Sequence, residues 1–179
     1  MSWHTFTVIA MTVQVTFRQA DARDLDVLVR LHDDAARWML RHAIDQWRPG
    51  TRGPGHFAAR IAAGEVWLAE REGRVAGAYE LWWEDASVWG PRPPEAGYVH
   101  RLMTDRTVAP AGTGRVLLAH AEERMAAAGR QLARLDCEAG DPRLRTYYEG
   151  AGYAVTGRLE KVAADGREYA VTLMEKTLA

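Results

Sequence analysis

One cysteine, Cys137, stands in 179 residues. No disulfide can close within the chain, and an intracellular, cytoplasmic setting fits. Long apolar runs are also missing. None approaches the roughly 18–20 residues of a membrane span, so no membrane partner is expected. Excess charge of either sign is absent: 23 Lys and Arg stand against 24 Asp and Glu, a net charge of -1. Such a balance exerts no global pull on nucleic acid or anionic lipid, and no basic stripe is interleaved with aromatics. The histidines lack metal-ligand spacing, so no metal is expected. The opening stretch MSWHTFTVIAMTVQV lacks a basic n-region and a cleavage site, so no signal peptide is expected. There is no internal repeat or low-complexity tract. What remains is 47% hydrophobic and 26% charged, the composition of a globular domain long enough for one sizeable core.

Along the chain, TVQVTFRQA (Thr12–Ala20) alternates and predicts a strand. Asp21 caps the helix that follows, with Leu25, Leu28, Val29, His32, Ala36, Met39 and Leu40 on one face. QWRPGTRGPG (Gln46–Gly55) is a loop, and HFAARIAAG is a short helix ending at Gly64. EVWLAERE and RVAGAYELWWED are strands around a turn at Glu72-Gly73. SVWGPRPPEAG is a second loop, and GYVHRLMT (Gly97–Thr104) a strand. AGTGRVLLAHAEERMAAAG opens and forms a helix, with Leu117, Leu118, Ala121, Met125 and Ala128 inward and His120 on the solvated face. QLARLDCEA is a buried strand. DPRLRTYYEGAG is a short helix capped by Asp141 with Pro142 at its first position. The last two strands, YAVTGRLEKV and REYAVTLMEKTL, form a hairpin around Asp165-Gly166.

The glycines at the mouth of the long helix raise a chemical question. The first N–H groups of a helix have no intrahelical partner, and the dipole places partial positive charge there. Glycine lets a ligand approach that backbone closely. Gly112 and Gly114 can therefore build a phosphate cradle, with the amides of Thr113, Gly114 and Arg115 directed at the anion. The bland alternative is a tight strand-to-helix turn that needs small residues for packing. Two familiar phosphate motifs fail: Arg115-Val116 stands where a Walker loop needs Lys-Ser/Thr, and Leu117 where the dinucleotide fingerprint needs a small residue.

The segment YVHRLMT, then AGTG opening a helix, RLDC on a strand and LRTYYEGAGY resembles the GNAT superfamily of acyl-CoA-dependent N-acyltransferases. The resemblance spans roughly residues 97–178, and WRPG and GEVWLAERE resemble one bacterial branch of it. It implies an α+β fold of three α/β layers. A mixed, mostly antiparallel seven-stranded sheet with splayed fourth and fifth strands would be flanked by about four helices. Residues 12–179 would form a single N-acetyltransferase domain and residues 1–11 a tail.

The implied reaction moves an acetyl group from acetyl-CoA to a primary amine, with a small-molecule amine as partner and no metal. The edge of Leu102, Met103 and Thr104 would hold the pantetheine arm and thioester carbonyl. The loop through Ala109, Ala111, Gly112, Thr113, Gly114 and Arg115 would hold the pyrophosphate. Tyr148 would protonate the departing thiolate, and Asp141 would touch the pantetheine arm. Paired subunits are common in the resembled family. The chain departs from the family motif Gln/Arg-x-x-Gly-x-Gly/Ala: Ala109 holds the Gln/Arg position, Ala111 replaces a basic residue, and Pro110 lengthens the link from Thr104 to Gly112. Asp141 stands where Asn is common. The cradle thus keeps its backbone and loses two side-chain donors, with Arg106 or Arg115 left to compensate. A non-catalytic acyl-CoA-binding module, or an enzyme acting on a protein N-terminus or lysine, are the alternatives these residues leave open.

Tyr148 is favoured over its neighbour Tyr147 as the acid. His100 is the candidate general base, since imidazole titrates near neutrality, although alternation puts it on a face with Tyr98 and Leu102, as a core histidine would be. Glu80 and Asp85 are weaker candidates. Trp47, Trp83 and Trp89, with Trp82 beside them, are candidates to line the acceptor pocket, while ordinary core packing is the better reading for at least two of the four. Cys137, inside a strand, reads as a small buried hydrophobe.

Overall fold

A computed structural model describes residues 14–163 and 166–179. The expected tail, the strand's start at Thr12 and Val13, and Asp165 of the last turn lie outside the described residues. Seven strands form one sheet: β1 (Thr16–Gln19), β2 (Val66–Arg71), β3 (Arg74–Trp82), β4 (Ala96–Thr104), β5 (Leu132–Glu138), β6 (Ala154–Val162) and β7 (Glu168–Thr177). Their spatial order is β1-β2-β3-β4-β5-β7-β6, and the one parallel neighbour pair is β4 with β5. The helices among the described residues number five, one more than expected: α1 (Leu25–Arg41), α2 (Pro54–Ala62), α3 (Ala86–Trp89), α4 (Thr113–Ala127) and α5 (Pro142–Glu149). The extra one is α3, a single turn inside the second Pro/Gly-rich segment, where the Ser87 hydroxyl donates to Asp85 Oδ1 and the Val88 and Trp89 amides donate to the Asp85 carbonyl.

The local reasons are conventional. Asp21 and Asp24 form a reciprocal capping box over a 3-10 turn that leads into α1. The buried stripe of α1 is Leu28, Leu31, His32, Ala35 and Ala36, a run of i, i+3 and i+4 steps. Val29 and Met39 are only half-buried and Leu40 is exposed, so the inward face is turned from the one expected. Pro54 sits in the first turn of α2, so that helix begins two residues earlier than the sequence suggests. Glu72 and Gly73 both take positive φ, which matches the twist of a two-residue hairpin between β2 and β3.

Of three apolar clusters among the described residues, a small one joins Trp89, Ala96 and Tyr98, and the two larger ones lie on opposite faces of the sheet. On one face α4 packs Leu117, Leu118, Ala121 and Met125 against Tyr79, Val99, Leu135 and Met174. On the other, Leu28 and Leu31 of α1 and Phe57 of α2 cover Val66, Leu68, Ala78 and Met103. His120 is not on a solvated face as expected. Its ring stacks on Phe17 at 3.7 Å and Nδ1 meets the Tyr79 hydroxyl at 2.8 Å. Among the described residues, no helix is long and apolar enough to cross a membrane.

Two irregularities position the site. The β4–β5 pairing covers only Ala96 to Tyr98 against Leu132 to Arg134, after which the strands part. Arg134, 4% exposed, bonds Glu95, Tyr98 and Glu175 at that junction. The second is a bulge. Ala78 faces Met103 and Glu80 faces His100, so Arg101 and Leu102 share the place opposite Tyr79. Arg101 adopts φ 47°, a left-handed conformation that costs a side-chain-bearing residue about 1–2 kcal/mol. Its guanidinium bonds the fully buried Glu80 at 2.7 Å.

Candidate active site

Where β4 and β5 part, a cavity of about 660 Å³ opens. Leu102, Met103 and Thr104 line it from β4, and Leu135 to Cys137 from β5. The expected strand edge therefore faces open space. The bulge changes one expectation. Leu102 packs toward the α4 core and Met103 toward the α1 core, so His100 keeps Tyr98 but not Leu102 on its face. An extra residue in a strand reverses the alternation beyond it.

The glycine loop forms a smaller recess of about 240 Å³ beside the first, lined by Ala109, Ala111, Gly112, Thr113 and Gly114. Gly112 takes φ 90° as the residue before α4, a conformation that suits glycine. Thr113 and Arg115 spend their amides on turn bonds to Pro110 and Gly112. Among the described residues the amides of Ala111, Gly112 and Gly114 donate to nothing, so the free donors are displaced from those expected. A Cβ on Gly114 would lie 2.7 Å from the Tyr147 hydroxyl, so the packing reason for this glycine also holds. Arg115 bonds the Tyr147 carbonyl and stacks at 4.3 Å from its ring, away from the recess. Arg106 lines both spaces, its guanidinium 4.0 Å from the Trp38 ring. It is the cation left to replace the side chains lost at Ala109 and Ala111.

Both tyrosines of α5 line the large cavity. Tyr148 packs against the α4 core beside Tyr153, and among the described residues its hydroxyl has no hydrogen-bond partner. Burial pushes its pKa well above that of a free phenol, so the proton is in place at neutral pH. Cys137 also lines the cavity, but burial pushes its thiol up to about 12, which removes it as a nucleophile. Asp141 is a departure from expectation. It accepts from the Arg143 amide at 2.9 Å, pairs with the Arg143 guanidinium, and lines neither space. An ionised carboxylate has only acceptor sites, and the start of α5 occupies them.

His100 faces the cavity with its ring 4.0 Å from that of Trp82. Its Nε2 stands 3.2 Å from Asp85 Oδ2, an ion-pair distance, yet neither atom has an aligned hydrogen bond although both are buried. Asp136 of β5 joins them: one ligand atom from each of the three lies within 4.8 Å of the others. Glu80, by contrast, is occupied. Burial pushes its pKa up, and bonds from His56, Arg101 and Trp82 outweigh that and hold it below the usual range.

The tryptophans divide between the cavity and the cores. Trp47 lines the cavity and stacks on His32, and Trp82 lines it as well. Trp83 packs instead beside the α4 core, and Trp89, 7% exposed, is buried against Tyr98. Neither lines the cavity, because each points to the side where apolar partners await it. Residues that the sequence reading passed over are Asp136, Arg52 and Lys161, all lining the cavity. Asp136 was legible as the polar residue between Leu135 and Cys137 on an otherwise buried strand. Arg52 and Lys161 sit in a loop and near a hairpin end, where charge is ordinary.

The sequence pattern of the acetyltransferase (GNAT) family matches residues 29–153. An uncharacterised N-acetyltransferase of Bacillus subtilis (strain 168) is 27% identical over 143 residues, 75% of this chain and 78% of that one. A GNAT-family acetyltransferase from Listeria monocytogenes 4b F2365 superposes with a TM-score of 0.76 at 26% identity, covering 96% of this chain and 99% of that one. YncA from Salmonella typhimurium, solved with its cofactor acetyl-CoA, gives 0.69 at 19% identity over 93% and 95% of the two chains.

Proposed function

The chain belongs to the acetyltransferase (GNAT) family, and on that premise we propose that it transfers an acetyl group from acetyl-CoA to the primary amine of a small molecule. The observation that carries this reading is the meeting of three features in one cavity: the uncovered β4 edge, the unpartnered Tyr148 hydroxyl and the His100 ring. The residues fit the co-substrate. Free amides at Ala111, Gly112 and Gly114 suit a pyrophosphate at the α4 dipole, with Arg106 adding charge. The β4 edge from Leu102 to Thr104 suits an extended amide-bearing arm. When bound, acetyl-CoA supplies an acetyl group activated as a thioester.

The protein's part is to move protons and hold charge. The amine arrives as an ammonium, and His100 takes its first proton, with Asp85 beside the imidazolium that results. The N–C bond then forms as the C–S bond breaks. Tyr148 gives its phenolic proton to the sulfur and recovers one from the new amide nitrogen through water. The β4 backbone donors polarise the carbonyl. A free, buried thiol at Cys137 suits a reducing cytoplasm.

The test is release of free thiol from acetyl-CoA across a library of primary amines, with calorimetry of CoA binding alongside. Release that requires both an amine and Tyr148 supports the reading. CoA binding without release for any amine, peptide N-termini and lysine peptides included, makes the protein a binding module. Release with peptides alone makes it a protein acetyltransferase.

A further inference from the structure

Glu80 is fully buried and lines neither the cavity nor the recess. It stands across the β3–β4 ladder from His100. Its Oε2 accepts two bonds, from the Arg101 guanidinium at 2.7 Å and from the Trp82 indole N–H at 2.9 Å. Its Oε1 meets His56 Nε2 at 2.8 Å. Both groups on Oε2 lead back to His100. Arg101 is the next residue in the chain, and Trp82 carries the ring beside the imidazole.

Arg101 takes φ 47°, a conformation in which a side-chain-bearing residue stays only where its surroundings hold it. The Glu80 carboxylate supplies that hold. It thereby fixes the bulge, and a bulge re-aims the side chains beside it. The His100 ring needs a second constraint. Its Nε2 is buried without an aligned hydrogen bond, with Asp85 3.2 Å away. Rotation about the bond to an imidazole ring is broad, so the ring's orientation follows what it packs on. It packs on Trp82, with centroids 4.0 Å and planes 35° apart. The indole is fixed at its edge and at its face: Glu80 takes the N–H, and the Arg60 guanidinium lies 3.7 Å from the centroid. Arg60 is itself held by Glu65 at 2.9 Å. A buried ion pair is weak evidence for stability, because desolvation offsets the attraction. Stability does not require that one oxygen hold both neighbours of one imidazole.

We propose that Glu80 is the positioning residue for His100, setting its backbone through Arg101 and its ring through Trp82 so that the imidazole meets the acceptor ammonium. This rests on the acetyltransferase reading and deepens it. Glu80 moves no proton itself. Its carboxylate, offered by the sequence as a candidate base, is turned away from the cavity and acts on the two cavity-lining side chains that flank the base. A displacement of about 1 Å in such a group can cost roughly 100-fold in rate.

The experiment follows thiol release from acetyl-CoA with a primary amine that supports turnover in the library above. The variants are Glu80→Ala, Glu80→Gln and Trp82→Phe, each alone and combined with His100→Gln. Glu80→Gln keeps an acceptor oxygen for both donors. Trp82→Phe keeps a ring and loses the N–H, and it serves if Glu80→Ala does not fold. The expected kcat falls about 30-fold or more in Glu80→Ala and about tenfold in Trp82→Phe, with KM for acetyl-CoA within about twofold. Glu80→Gln should stay within about threefold of wild type. Combined with His100→Gln, each should change the residual kcat by less than about twofold, because the group they aim is gone. Losses that multiply with that of His100→Gln overturn the inference and leave the acetyltransferase standing. So does an unchanged kcat in the folded variants, or a Glu80→Gln as impaired as Glu80→Ala. A wild-type kcat in His100→Gln removes the base and the inference with it. Histidine C2–H NMR supplies a readout without turnover. The His100 resonance, displaced by the Trp82 ring current, should shift in Glu80→Ala and hold in Glu80→Gln. An unmoved resonance in Glu80→Ala overturns the inference. Absence of thiol release in the wild type overturns the enzyme reading, and the NMR comparison still decides whether Glu80 holds the ring.

Discussion

The hydroxyl of Tyr147 lies 2.7 Å from the point where a Cβ on Gly114 would stand. One contact thus ties the mouth of α4 to the last turn of α5, with Arg115 bonding the Tyr147 carbonyl from the same helix. Gly114→Ala is expected to push the tyrosine or the loop aside and weaken CoA binding about tenfold or more, a loss near 1.4 kcal/mol. Tyr147→Phe removes the clashing oxygen, and the next ring atom is 3.7 Å away. The double variant should therefore recover most of the loss, a coupling that calorimetry in a double-mutant cycle can measure. Strictly additive losses would show that the contact does not govern the loop.

Tyr148→Phe separates proton transfer from binding. Positioned acid catalysis is worth roughly 10²–10⁴ in rate. The variant should lose at least about 100-fold in kcat while its Kd for CoA changes less than about threefold. Tyr147→Phe is the control and should retain most of its turnover. A reversed pattern would move the acid to Tyr147.

Ala111 marks a lost donor beside three free amides. Ala111→Arg is expected to tighten CoA binding by about tenfold, the scale of one charge-assisted hydrogen bond. Arg106→Ala should weaken it and flatten its dependence on salt. No gain in Ala111→Arg would mean that the recess does not receive phosphate.

Glu80 is fully buried and holds His56, Trp82 and Arg101 together. Removing it strands a buried guanidinium, so Glu80→Ala should cost about 3–5 kcal/mol in chemical denaturation. Its folded pKa is depressed, so the stability it contributes is present above the unfolded value, near pH 4.3, and lost as pH falls through the folded one. The gap between wild type and Glu80→Gln should close in acid.

Asp136 has the opposite sign. Burial raises its pKa despite the charges of His100 and Lys161. Its contribution is complete below the unfolded value, near pH 3.9, and lost as pH rises through the folded one. Asp136→Asn cannot ionise and should therefore gain on wild type with rising pH. Its Tm should be higher at pH 8 and nearly equal at pH 3, each kcal/mol of relief being worth roughly 2–4 °C for a chain of this length. A constant difference across pH would show that the carboxyl is not held in its neutral form by burial.

Much of this architecture was legible because it is local. The Asp21 cap, Pro142 at the start of α5, the Glu72-Gly73 turn and Gly112 before α4 are decided by neighbours in sequence. What escaped reading depends on distant partners. The bulge at Arg101 follows from how β4 meets β3, and it alone separates Leu102 from the face of His100. Trp83 and Trp89 were indistinguishable from Trp47 and Trp82 until the cores claimed them. Asp141 forms the cap read from the sequence, but with the Arg143 guanidinium also on its carboxylate it lines neither space.

The short parallel junction of β4 and β5 sets the angle at which the two strands part. The six residues from Val99 to Thr104 run free of β5, about 20 Å of strand at roughly 3.3 Å per residue. A difference of one degree in the angle at the Tyr98–Arg134 end therefore displaces the far end by about 0.3 Å, and about ten degrees amount to the width of an atom. Arg134, clamped by Glu95 and Glu175, is the fulcrum. The width of the aperture is thus set from a residue that lines neither space, and substitutions there are expected to alter both at once.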